Sequence, residues 1–282
     1  MKQTCSICLS QDLTSIRIIK SPYTFDDYTL YECGTCHSRV FDIEEHPFDI
    51  DAFYNSRPES RENLQPDFTL SPYWLHETKL IKKTFGGRPG SILDVGCRTG
   101  DFLLHWPQDI TRFGVELSAQ SASVAAGRGL HVIQESVEKI EFDRKFDVVT
   151  CYAILEHLSE PRKFLEKIAG LVNDHGVLVI EIPSYQTLKA RILERLRVRW
   201  HMYCPPEHLN LYSRSFLDHY FALQGFSLQK RSYTSGGMFN PFARVPVLRS
   251  VWSRLMWWRD AYSPLNRLPI FDHMYSYYVK RR

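Results

Sequence analysis

The feature that most constrains this chain is an alternation of two patterns between residues 91 and 182. Short apolar runs of strand length, "SILDVG", "RFGVEL", "HVIQES", "FDVVTCYA" and "VLVIEI", are separated by segments that read as helices, "GDFLLHW", "SAQSASVAAGRG" and 160–172. Strands that alternate with helices predict a parallel, doubly wound α/β sheet. Such sheets bind ligands at the carboxyl ends of their strands. Ahead of them, Ser71-Pro72 opens the helix "PYWLHETKLIKKTF", which Gly86-Gly87 ends. Ser159 is expected to cap the helix 160–172, and Asn173 to Gly176 to form a turn into "VLVIEI". After residue 183 the alternation is broken by two insertions, 184–212 and 236–270. Between them lies an amphipathic helix, "SRSFLDHYFALQGF", and "HMYSYYVKRR" reads as a final strand.

The first strand ends in Asp94 and turns through Gly96, Cys97 and Gly100 into a helix; the second ends in Glu116, 22 residues after Asp94. Glycine-rich turns of this kind place a ligand at a helix N-terminus, and a carboxylate at the second strand end can accept both ribose hydroxyls. A pyrophosphate-binding loop would not put an acid two residues before its first glycine, as Asp94 stands here. Asp94 suits a ligand that carries a positive group.

Together, "LDVGCRTG", "GVELS", "ES" at 135–136 and "FDVVTCYAILEHLSEP" resemble the class I S-adenosylmethionine-dependent methyltransferases, over roughly residues 71–282. The resemblance implies a Rossmann-like methyltransferase sheet with S-adenosylmethionine as cofactor. It implies that Asp94, Gly96, Cys97 and Gly100 face the methionine and ribose, that Glu116 holds the ribose hydroxyls, and that Leu117 lies beside the adenine. Glu135, Ser136 and Val137 would edge the adenine, and Cys151 and Tyr152 would line the methionine end. Arg98 stands where the family usually has glycine. Its side chain is expected to point to solvent, with pairing to the methionine carboxylate, or a damaged site, as the competing readings.

Residues 1–48 carry Cys5-x-x-Cys8 and Cys33-x-x-Cys36, with 24 residues between the pairs. Two such pairs complete a tetrahedral structural zinc site with no open position, so this segment reads as a zinc ribbon. Residues 49–70 read as a linker. Seven cysteines in a chain that starts without an apolar leader argue for reduced thiols and a cytoplasmic protein. Zinc ribbons ahead of such a domain resemble two groups: bacterial enzymes that methylate sugars in polysaccharide clusters, and rRNA guanine methyltransferases.

On the acceptor side, His157 in "ILEHLSEP" and His208 in "CPPEHLNLYS" are the candidate general bases for an oxygen nucleophile. No Asn-Pro-Pro-Tyr run follows the fourth strand, which counts against methylation of planar exocyclic amines. The expected acceptor is a small molecule or a linked glycan, foremost a sugar hydroxyl. The rivals are an rRNA or tRNA methyltransferase and a non-catalytic zinc-ribbon interaction protein. Charge keeps the nucleic-acid reading open without favouring it: residues 1–184 hold 19 Lys/Arg against 27 Asp/Glu, and residues 185–282 hold 16 against 5. Within the second insertion, "PVLRSVWSRLMWWRD" at 246–260 reads as a lid or as a peripheral contact with the inner face of a membrane.

Overall fold

The computed structural model describes residues 4–43, 71–234 and 264–282. The linker 49–70, the stretch 246–260 and most of the insertion 236–270 lie outside the described residues. Strands β1 (Leu13–Lys20), β2 (Asp27–Cys33) and β3 (Arg39–Phe41) form an antiparallel ladder. Helix α1 (Pro72–Phe85) then leads into β4 (Ser91–Val95), α2 (Asp101–Leu104), β5 (Thr111–Val115), α3 (Ala119–Gly127), β6 (His131–Ile133) and β7 (Phe146–Tyr152). These are followed by α4 (Pro161–Gly170), β8 (Val172–Pro183), α5 (Leu188–Arg195), β9 (Asn210–Leu211), α6 (Arg214–Leu223), β10 (Phe226–Thr234) and β11 (His273–Lys280).

The larger sheet has seven strands in the order β10-β11-β8-β7-β4-β5-β6. Strands β6, β5, β4, β7 and β8 pair in parallel, and β11 enters antiparallel between β8 and β10. Side chains alternate between its faces, so Ile92, Val148, Val177, Val179 and Tyr277 pack with Ile81 of α1 and Phe102 and Leu103 of α2. Leu93, Val149, Leu178 and Ile180 pack on the other face with Phe164, Leu165 and Ile168 of α4 and Leu217 and Phe221 of α6. Both faces are covered, which is why these strands read as continuous apolar runs.

Helix α1 begins at Pro72 and ends at Gly86, whose φ of +82° closes the last turn. Ser71 has the backbone of a cap but its side chain makes no capping bond; its N–H donates instead to His105 Nε2 at 2.7 Å. Ser159 is not the cap of α4 either. Pro161 fixes the first turn and moves the cap position to Glu160, which caps with no side-chain bond. The turn expected at 173–176 is absorbed into β8, with a register shift against β7 and His175 at φ +63°.

The small sheet has a fourth strand, and it comes from far along the chain: β3 pairs with β9, inside the first insertion. Ser213 Oγ, just past β9, donates to the carbonyl of Cys36 at 2.6 Å, and Ser6 Oγ donates to Asn210 Oδ1 at 2.7 Å. Arg39 is gripped by Glu32 at 2.9 Å and by Glu194 of α5 at 2.7 Å. The cysteine-bearing segment is therefore bonded into the rest of the chain.

Candidate functional site

The cysteine pairs form two matching knuckles. Cys5 N donates to Ser10 O and Leu9 N to Cys5 O; Cys33 N donates to Ser38 O and His37 N to Cys33 O. The residue after each second cysteine, Leu9 or His37, has a left-handed backbone. The four sulfurs converge, with Cys5 to Cys36 at 3.8 Å, Cys8 to Cys33 at 3.5 Å, and all four within 4.8 Å of one another. Four sulfurs placed tetrahedrally about zinc, at about 2.3 Å each, would stand roughly 3.8 Å apart, so these residues fit the ion. The thiols alone are poorly placed to ionise: burial first pushes Cys8 up to about 11, and hydrogen bonding with Cys5, then burial, raises Cys36 further. A cation would relieve that cost.

At the carboxyl edge of the large sheet, Asp94, the penultimate residue of β4, lies beside Thr150 of β7, whose hydroxyl donates to Asp94 Oδ1 at 2.6 Å. Asp94 is 3% exposed, and burial first, then the charge of Glu116, pushes its carboxyl up to about 7. Glu116, one strand over, is held at both oxygens: Arg98 N donates to Oε2 at 2.9 Å and Ser118 N to Oε1 at 2.8 Å. A carboxylate has about four acceptor sites, so capacity remains for two ribose hydroxyls. Gly96 and Gly100 have φ of +77° and +81°, as a tight cofactor turn requires.

Arg98 has an exposed side chain and a left-handed backbone at φ +48°. Its backbone N–H donates to Glu116 Oε2 and ties the loop to that carboxylate. Arg98→Gly should leave affinity for S-adenosylhomocysteine within about twofold and should not lower the melting temperature, because a non-glycine residue in this region costs roughly 1 kcal/mol. A tenfold loss in calorimetry would assign the guanidinium to the ligand.

The remaining residues expected from sequence divide by sheet face. Tyr152 lies on the Asp94 face, its ring 5.1 Å from Trp74 and 5.3 Å from Phe102. Cys151 points the other way and is fully buried in the opposite core. Cys97 is also buried, and its sulfur would stand 2.4 Å from a Cβ at Gly114, so it fills the space under β5 and offers the loop its backbone. Leu117 is exposed beside Glu116. Glu135 is half-buried and accepts from Ser136 N at 2.8 Å, Ser136 Oγ donates to Glu138, and Val137 is buried.

His157 and His208 are brought together, with ring centroids 4.9 Å apart. Each is oriented through Nδ1, to the Glu207 carbonyl at 2.7 Å and to the Met202 carbonyl at 3.0 Å. Burial, then the neighbouring His157, pulls His208 down to about 3, so it stays neutral and is a weak proton acceptor. Glu156 completes this group; the three residues each offer a ligand atom within 4.8 Å of the others, an arrangement that would also accept a divalent cation.

Sequence reading missed a second row of polar groups on the Asp94 face. Glu181 of β8 stands next to Tyr152 in register, and His273 of β11 hydrogen-bonds to it through Nδ1. Burial pulls the His273 pKa down, but the charge and hydrogen bond of Glu181 outweigh it, and the net shift is upward. His273 Nε2 and Glu156 Oε2 are buried without a hydrogen-bond partner among the described residues. Glu77 of α1 accepts from Tyr277 at 2.8 and 2.9 Å and from Tyr152 at 3.2 Å, and burial raises its carboxyl to about 7. The edge therefore presents, in spatial order, Glu116, Asp94, Tyr152, Glu181 and His273.

The sign of the Asp94 shift gives a pH dependence. A bound ligand with a positive group favours the ionised carboxylate, so binding should release a proton near pH 7 and weaken as pH falls. Affinity for S-adenosylhomocysteine, whose amino group remains charged, should drop about tenfold between pH ~8 and pH ~6. Asp94→Asn should flatten the profile in calorimetry; an unchanged slope would place the titrating group elsewhere.

Known proteins give the context for this edge. A family whose description is "Methyltransferase domain" matches residues 71–230, more than half of the sequence; the chain belongs to this family. Among curated relatives, the mitochondrial ubiquinone biosynthesis O-methyltransferase of Schizosaccharomyces pombe is 35% identical over 127 residues, 40% of this chain and 43% of that protein. The ubiquinone biosynthesis O-methyltransferase of Rickettsia felis is 26% identical over 132 residues, 44% and 53% respectively. The chain thus spans about half the length of the curated relatives it matches. Among solved structures, the plantazolicin methyltransferase BamL, in complex with a triazolic desmethylPZN analog and SAH, superposes with a TM-score of 0.54 at 16% identity, covering 82% of this chain and 94% of that one. At that identity the likeness is one of fold.

Proposed function

We propose that this member of the methyltransferase-domain family transfers a methyl group from S-adenosylmethionine to a hydroxyl of a small-molecule or glycan-linked acceptor. The observation that carries the reading is the pair Asp94 and Glu116 at neighbouring strand ends, with Glu116 fixed by the backbone of the intervening glycine turn. When bound, the cofactor supplies an electrophilic methyl on a sulfonium. The residues of this chain then hold its ribose through Glu116, set a negative charge at Asp94, and align the acceptor oxygen. Removal of the acceptor proton falls to His157, just beyond β7, and to His273, which opens β11. His157 is positioned by the Glu207 carbonyl, and His273 by Glu181 in the manner of a base held by a carboxylate.

A sugar hydroxyl is the acceptor favoured here. Glu156 and Glu181, with His157 and His273, form a polar wall suited to several hydroxyl donors. A phenolic hydroxyl is the second reading. It is supported by the names of the curated relatives and by the aromatic wall of Trp74, Phe102, Tyr152 and Tyr275. The four cysteines are proposed to hold one structural zinc. The test is formation of S-adenosylhomocysteine from S-adenosylmethionine with matched panels of nucleotide sugars, glycolipids and catechols. Turnover confined to the sugar panels supports the first reading, turnover confined to catechols the second. No turnover with any of them would remove both acceptor classes.

A further inference from the structure

Helix α5 is amphipathic with its apolar stripe turned outward. Ala190 is buried, Leu193 packs against the core of the small sheet, and Glu194 is held by Arg39, which together fix the inner face. Leu188, Ile192 and Leu196 follow one another at a spacing of four, on the opposite side. They are 53%, 45% and 66% exposed, with Val198 at 49% and Leu268 at 49%. Leu268 adjoins the stripe because Leu188 N donates to Pro269 O at 2.6 Å.

Helical projection places Arg191 and Arg195 along one border of this stripe, and Arg197 follows at the end of the helix. No ion pair among the described residues joins any of these three. The one acid of the helix, Glu194, faces inward. Lys189, on the other border, is committed to Asp272 at 2.5 Å. The helix cannot turn its stripe inward, because Thr187 caps it, Lys189 and Glu194 anchor it, and the Arg197 carbonyl accepts from Arg17 of β1 at 2.8 Å.

We infer that α5, with Val198 and Leu268, is a docking face for an anionic lipid bilayer. Long aliphatic side chains bordered by arginines that no ion pair among the described residues engages match the two layers of such a surface, hydrocarbon below and phosphate above. Nucleic acid would engage the arginines but give the leucines nothing to bury. The face follows β8 by five residues and so lies on the edge of the sheet that carries Asp94, Tyr152 and Glu181. An acceptor with a lipid anchor would be presented to that edge from the membrane plane. The inference goes beyond the methyl-transfer reading and does not depend on it.

The test is flotation of the full-length protein with vesicles of phosphatidylcholine containing about one-third phosphatidylglycerol, against vesicles of phosphatidylcholine alone. The wild type should float with the anionic vesicles and be largely released by high salt. Ile192→Ser with Leu196→Ser, and separately Arg191→Glu with Arg195→Glu, should each lower partitioning at least tenfold. All four positions are exposed, so melting temperature and S-adenosylhomocysteine affinity should stay at wild-type values. No flotation of the wild type, or equal flotation of the serine variant, would overturn the inference. So would salt-sensitive RNA binding that needs the arginines but not Ile192 and Leu196. Self-association in sedimentation velocity that the serine variant abolishes would assign the face to a second copy instead.

Discussion

Glu116→Ala should weaken S-adenosylhomocysteine binding by about 3 kcal/mol, a loss of more than a hundredfold. Two losses combine. The ribose hydroxyls lose a charged acceptor, and each such hydrogen bond is worth roughly 1.5–3 kcal/mol. In addition, Arg98 N and Ser118 N lose the oxygens that hold them at 2.9 and 2.8 Å, and the first of these lies in the left-handed turn of the cofactor loop. Glu116→Gln keeps one carbonyl oxygen and should lose less. Calorimetry on the two variants checks the order, and equal affinities for wild type and alanine variant would mean that the ribose is held elsewhere.

Loss of the zinc should be felt beyond the segment that binds it. Elemental analysis should find one zinc per chain, and Cys33→Ser should abolish it and lower stability by on the order of 3–5 kcal/mol, roughly 10 °C in melting temperature. From sequence, a ribbon of residues 1–48 is expected to come apart on chelation while the rest keeps its ligand. The contacts of the segment lead to a different prediction. β3 is paired with β9, Cys36 O accepts from Ser213, and Asn210 is bonded both to Ser6 and to the Leu158 carbonyl at 2.5 Å. Hydrogen exchange after chelation should therefore rise in residues 200–213 as well as in 4–43, and His208 should lose its fixed orientation. Metal-free protein with an unchanged melting temperature and protected N-terminal amides would contradict this.

The parts of the site legible in the sequence are those made by one short segment. Asp94, the glycine turn and Glu116 are local, because a strand end and the loop after it are contiguous. So are the cysteine knuckles, each of which closes within six residues. The acceptor side is not local. Glu77, Glu181 and His273 come from α1, β8 and β11, and what joins them is strand order, with β11 entering antiparallel between β8 and β10. Nothing in their spacing carries that order. Strand alternation does carry one signal that residue type obscured. Asp94 is in register with Thr150, so Thr150 and Tyr152 share its face and Cys151 does not. The pairing of β9 with β3 was likewise out of reach, since two residues of strand inside a proline-containing insertion leave no period to read.

The central claim is that the edge defined by Asp94 and Glu116 binds S-adenosylmethionine. The most direct measurement is calorimetric titration of the full-length protein with S-adenosylhomocysteine at pH about 8, where Asp94 is mostly ionised. The account expects saturable binding at one site per chain, competed by S-adenosylmethionine and indifferent to NAD. Absence of saturable binding, or displacement by NAD, would contradict it.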